Sequence, residues 1–112
     1  MSAAALKERL RADLKVAMRE RDPTEVGVLR TLIAAIDNAE AVPTEALEEQ
    51  IRLRQPVGEM ARREFDREAL DAVLAAETQS RFAAAEDYQR HGRAEDAARL
   101  RVEANLIARY RC

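Results

Sequence analysis

The chain has 112 residues, enough for one domain with its own core. Hydrophobic residues are 47% and charged residues 36%, with a net charge of −2, aromatics at 4%, three Gly and three Pro. That balance excludes a membrane-spanning or collagen-like chain and any global basic field, and it points to an all-α protein with heavily charged outer faces.

Of the hydrophobic residues 23 are alanine, so large side chains fill little of the core and close packing through small residues must do more of the work. Of the 19 basic residues 17 are arginine, a residue suited to bidentate contact with carboxylate or phosphate, although intrahelical ion pairs in a GC-rich coding background are the plainer explanation. The first ten residues, MSAAALKERL, lack the apolar run of a signal peptide, and the chain reads as soluble and cytoplasmic.

The first predicted helix covers about Ala4 to Arg21. Leu6, Leu10, Leu14, Ala17 and Met18 form its apolar stripe at spacings of three and four. Lys7, Arg11, Lys15 and Arg19, each one turn from the next, form a basic stripe beside it. Residues 1–22 carry six basic against four acidic side chains, a mild patch for which a solvated face is the plain reading.

DPTE then marks a helix start: Asp22 as cap, Pro23 at the first position and Glu25 three residues after the cap. The second helix is expected over about Pro23 to Ala41, antiparallel to the first because the connection is short. Val26, Leu29, Ile33 and Ile36 define its inner face, Val28, Leu32 and Ala35 widen it, and Gly27 allows close approach of a neighbour. Arg30, Asp37, Asn38 and Glu40 interrupt this apolar segment, as a functional site or as the polar seam of a bundle. The seam is favoured, with Arg30 reaching Glu77 and Asn38 tying the helix end to the linker.

Pro43 ends the second helix, and residues 42–66 read as an irregular linker with a short helix, EALEEQIRL, capped by Thr44. Arg62 and Arg63, with Arg52, Arg54 and Arg67 around them, make a second basic cluster diluted by Glu59, Glu64 and Asp66. Asp66 is expected to cap a third helix over about Arg67 to His91, ended by Gly92 as the left-handed residue. Its inner positions are Leu70, Val73, Leu74, Thr78, Arg81, Phe82, Ala85 and Tyr88. A fourth helix follows over about Arg93 to Arg111, with Ala97, Leu100, Ala104 and Ile107 inward and Val102, Leu106 and Tyr110 close by. The expected architecture is a small helical bundle: a helical hairpin plus two longer C-terminal helices.

The inventory of reactive residues argues against catalysis by this chain alone. The serines are Ser2, near the terminus, and Ser80, on a long helix with no histidine near it in sequence. His91 is the single histidine and Cys112 the single cysteine, so no clustered metal site of that kind can be assembled and no cofactor is expected. Paired acids would need a cleft that shifts a pKa, and nothing in the sequence marks one.

The segments LKERLRADLKVAMRERD and VLRTLIAAIDNAE, followed by LDAVLAAETQSRFAAAEDYQRHGRAEDAARLRVEANLIARY, together resemble the GatB/YqeY-like family over residues 4–41 and 67–110. Arg30, Asn38, Glu40, Glu77, Arg81, Tyr88, Gly92, Arg93, Glu103 and Tyr110 carry the resemblance. It implies a single helical domain over residues 1–112, like the N-terminal domain of YqeY-like proteins. It also implies kinship with the B subunit of the glutamine-dependent amidotransferase, whose YqeY-like part is a helical appendage associated with tRNA.

The label that travels with the family is carbon–nitrogen ligase activity with glutamine as amido donor, but this chain has no candidate for the nucleophile that amidase chemistry needs. The resemblance is to short members that lack the C-terminal domain, since the sequence stops at Arg111–Cys112 where longer members continue with LP. The implied function is therefore a non-catalytic helical module, with tRNA or an amidotransferase-related protein as partner and no membrane. Lys7, Arg11, Lys15, Arg19, Arg62 and Arg63 are the candidate contact residues. The alternative is a protein-interaction module without nucleic-acid contact.

Overall fold

The computed structural model describes residues 2–41 and 59–111, and the side chains of residues 2–40 and 67–111. Four helices and no strand occur among them: α1 Ala3–Glu20, α2 Pro23–Ala41, α3 Glu59–Arg90 and α4 Ala94–Ala108. They form two antiparallel hairpins, α1–α2 and α3–α4, packed on each other chiefly through α2.

Local chemistry sets the helix ends. Ser2, expected at a loose terminus, caps α1 by accepting a hydrogen bond from the Ala5 N–H at 3.1 Å. Asp22 caps α2 as its sequence context predicts, its carboxylate accepting from the Glu25 N–H at 3.1 Å. Gly92 takes φ +75° after α3, where the Arg93 N–H donates to the Tyr88 carbonyl at 2.8 Å and the Gly92 N–H to that of Gln89 at 3.2 Å, the paired bonds of a Schellman turn. α1 ends in the same geometry without a glycine. Arg21 holds φ 57°, its N–H donating to the Met18 carbonyl and that of Asp22 to the Ala17 carbonyl.

α3 starts earlier than expected. The helix already runs at Glu59, so Asp66 lies inside it and is not its N-cap. Beyond Gly58 the sequence EMARREFDREAL holds no Gly or Pro and is rich in good helix formers, which carry the helix through a stretch lacking a clean apolar period. The rest of the predicted linker, with the EALEEQIRL helix and its cap Thr44, falls outside the described residues.

One buried cluster joins all four helices: Leu6, Leu10 and Ala17 of α1, Val28, Leu29, Leu32 and Ile36 of α2, Leu70 and Leu74 of α3, and Ile107 of α4 with Tyr110 just beyond it. α3 meets α4 along a seam that includes the buried alanines Ala85, Ala97 and Ala104, so small residues let the two backbones approach. Thr78, buried within α3, satisfies its hydroxyl by donating to the Leu74 carbonyl at 2.8 Å.

Two expected inner residues face outward instead, Met18 at 51% exposed and Phe82 at 37%, as does Val102 at 54%, expected beside the inner stripe. Each sits at the edge of a stripe or off it, and only the placement of the neighbouring helices decides whether an edge position is covered. Among the described residues, no helix is long and apolar enough to cross a membrane.

Candidate functional site

The basic stripe of α1 is not uniform. Lys7 leaves it: Nζ lies 3.2 Å from Asp37 Oδ1 and 3.1 Å from Glu40 Oε2, both near the C-terminal end of α2. Hydrogen bonds to Glu40 and then Asp37 hold its ammonium pKa above the usual lysine value, outweighing the opposing effect of desolvation. Lys7 is therefore a clasp across the hairpin rather than an open cation. Arg11, Lys15 and Arg19 are exposed and have no ion-pair partner among the described residues. The side chains of Arg62 and Arg63 fall outside the described residues.

Arg30 does not join Glu77. Glu77 is engaged within α3, where Arg81 Nη1 lies 2.7 Å from its Oε2 and also donates to its carbonyl at 3.2 Å. The i,i+4 spacing on one helix makes that partner available without crossing the bundle. Arg30 instead stands exposed on α2; Asn38 is exposed as well, and the linker it was expected to reach lies outside the described residues. The seam expected through Arg30 is therefore not formed; a polar contact lies instead between α3 and α4, where Arg81 Nε approaches Glu103 Oε1 at 3.6 Å, too long for a hydrogen bond. Arg81 Nε is buried without a hydrogen-bond partner among the described residues.

Tyr88 and Gly92 serve the α3–α4 turn. The Tyr88 carbonyl accepts from Arg93 and His91, and the Arg93 guanidinium lies 5.2 Å from the Tyr88 ring centroid. His91 Nδ1 lies 2.7 Å from the Asp87 carbonyl oxygen, a helix-end contact.

Tyr110 anchors the end of α4. Its hydroxyl donates to Asp13 Oδ2 at 2.5 Å, and the Arg9 guanidinium covers its ring at 4.9 Å. Burial of the phenol, then the hydrogen bond and charge of Asp13, push its pKa far above the usual value. The residues flanking it reach two further helices. Arg109 Nη2 lies 3.8 Å from Glu25 Oε1 of α2, and Arg111 grips Asp71 of α3 with two hydrogen bonds of 3.2 Å. The second contact lowers the Asp71 pKa and raises that of Arg111. Three consecutive residues thus tie the end of α4 to α2, α1 and α3.

Sequence reasoning singled out Tyr110 without finding Asp13, which is 97 residues away. The usable signal was chemical: a buried tyrosine hydroxyl needs an acceptor, and only the tertiary fold says which.

Beside this anchor lies an open groove of about 420 Å³, its lining including Leu6, Leu70, Leu74 and Tyr110 with Asp71 at its rim. Arg67 and Glu68 also line it, and Asp71 is held by Arg111. Among the described residues, no three His, Cys, Asp or Glu side chains are placed to hold a metal ion.

The profile of the family described as Yqey-like protein matches residues 7–111. This chain belongs to the YqeY-like family. The matched span also takes in residues 42–66, which the sequence resemblance had left out. Neither the curated proteins nor the solved structures give a significant match. Within this YqeY-like chain, the residues that carried the resemblance divide by environment. Glu77, Arg81, Tyr88, Gly92, Glu103 and Tyr110 make contacts or turns within the bundle, and Glu40 clasps Lys7, whereas Arg30 and Asn38 face outward.

Proposed function

We propose that this YqeY-like chain is a non-catalytic helical module that associates with RNA, tRNA being the class the family resemblance implies, in a cytoplasmic setting linked to tRNA-dependent amidotransferase function. The observation that carries the reading is the outer side of α1. Arg11, Lys15 and Arg19 are exposed there at one-turn intervals, about 6 Å apart along the axis. Three such cations can contact phosphates without any basic field over the whole protein.

An electrophoretic shift with tRNA at low and at moderate salt tests it. Binding is expected at low salt, to fall steeply as salt rises, and to be lost in the Arg11→Gln/Lys15→Gln/Arg19→Gln variant. Absence of a shift even at low salt sinks the proposal. The amidotransferase link is tested apart from it: amide transfer onto mischarged tRNA by the other subunits should change when this chain is added, and unchanged activity removes the link.

A second reading, a protein-interaction module without nucleic acid, draws on the exposure of Val16 at 46% and Met18 at 51% on the same helix. It expects a partner recovered from nuclease-treated lysate whose binding is lost in the Val16→Ser/Met18→Ser variant.

A further inference from the structure

The Lys7 clasp fixes the register of the α1–α2 hairpin, and with it the neighbours of Arg30. Lys7 meets Asp37 and Glu40, so in an antiparallel pair Arg30 stands level with Leu14 to Ala17. Arg30 is seven residues before Asp37, two turns along the same side of α2, or about 10.5 Å. On α1, Arg11 and Lys15 follow Lys7 by one and two turns. Arg30 therefore occupies the flank of α2 that borders the Arg11–Lys15 stretch of α1.

Most of the acids near this flank are engaged elsewhere. Asp13 accepts from Tyr110, Glu25 pairs with Arg109, and Asp37 and Glu40 hold Lys7. Glu8 and Glu20 are exposed on α1, and four cations against these two acids leave the flank positive. Arg11, Lys15, Arg19 and Arg30 are left exposed as a cationic surface straddling two helices.

No aromatic ring of α1 or α2 accompanies them, because neither helix contains one. The two tyrosines lie beyond this hairpin, each covered by an arginine, and Phe82 belongs to α3. Unpaired bases gain much of their affinity by stacking on aromatic side chains, and among the described residues this flank offers no aromatic platform. Its cations suit phosphates, and a duplex presents these more densely than a single strand.

The geometry points to a two-helix phosphate-binding flank, Arg11, Lys15 and Arg19 of α1 with Arg30 of α2, that takes the backbone of a base-paired RNA stem without reading its sequence. This rests on the RNA-associated reading above and adds to it a residue, a second helix and a substrate class.

The test compares binding of the full chain to an RNA hairpin with a fully paired stem and to an unpairable strand of equal length, by fluorescence anisotropy across a salt series. The stem should bind more tightly. The Arg30→Gln variant should bind severalfold more weakly at 50 mM salt and give a log–log salt dependence shallower by about 0.9, the loss of one phosphate contact. Arg90→Gln, at the far end of α3, should match the unmodified chain.

If Arg11→Gln weakens binding and Arg30→Gln does not, the two-helix flank is wrong while RNA association stands. If the unpairable strand binds as tightly as the stem, the substrate class is wrong. Failure of the unmodified chain to bind either RNA at low salt would overturn the underlying reading together with this one.

Discussion

Replacing Tyr110 by Phe removes one hydroxyl and leaves a ring that is 6% exposed in place among Leu6, Leu70, Leu74 and the other core residues. The hydrogen bond lost is donated to a carboxylate at 2.5 Å, the charge-assisted kind that contributes about 1.5–3 kcal/mol. Asp13 is only half-buried, so water can solvate the orphaned carboxylate, and the low end of that range, about 1.5 kcal/mol, is the expected loss. With an unfolding entropy of about 2.1 cal/mol/K per residue, that loss lowers Tm by about 6 °C for a chain of this length.

Thermal unfolding followed by far-UV circular dichroism measures it. Tyr88→Phe is the control, since the Tyr88 hydroxyl has no hydrogen-bond partner among the described residues. Tyr110→Phe also carries a pH signature. The folded-state pKa of Tyr110 lies above its unfolded value, so its contribution is fully present below about pH 10 and is lost as pH rises through the folded pKa. Tyr110→Phe should flatten the alkaline side of the stability profile. Equal melting temperatures for Tyr110→Phe and the unmodified protein would refute the role assigned to this bond.

Two substitutions at the left-handed turns should act in opposite directions. Gly92→Ala meets no atom within 4 Å of the added Cβ, so its whole cost is the left-handed backbone at φ +75°; a loss of about 1 kcal/mol, read as a Tm lower by about 4 °C, is expected. Arg21→Gly relieves the same strain at φ 57° and should raise Tm by about 2–4 °C after the extra chain entropy of glycine is subtracted. A lowered Tm for Arg21→Gly would mean that the Arg21 side chain stabilises the turn by more than its backbone conformation costs.

Helix existence and most helix ends were legible in the sequence because they depend on neighbours within four residues. Asp22, Pro23 and Glu25 wrote the start of α2, and Gly92 wrote the end of α3. The start of α3 was misread for the same local reason. Asp66 resembles a cap, but a cap takes effect only where the preceding chain leaves the helix, and nothing after Gly58 makes it leave.

The candidate surface was half legible. Spacing alone put Lys7, Arg11, Lys15 and Arg19 on one side of α1, and it gave no hint that Asp37 and Glu40, on another helix, would withdraw Lys7. Arg30 shows the limit most clearly. A lone arginine in an apolar run reads as a seam residue, because a charge amid apolar neighbours needs a partner if it is buried. Whether it is buried depends on the rotation of α2 against α1, α3 and α4.

By itself the sequence determined the four helices among the described residues, the Asp22 cap, the Gly92 turn and the family, since hydrophobic period, turn chemistry and residue order are all encoded along the chain. Only the tertiary structure decided that Lys7 meets Asp37 and Glu40, that Tyr110 finds Asp13, that Met18 is left outside and that Arg30 turns toward solvent. Those outcomes are set by how whole helices rotate and slide against one another, and that packing sums the burial of every apolar side chain at once rather than the preference of any single segment.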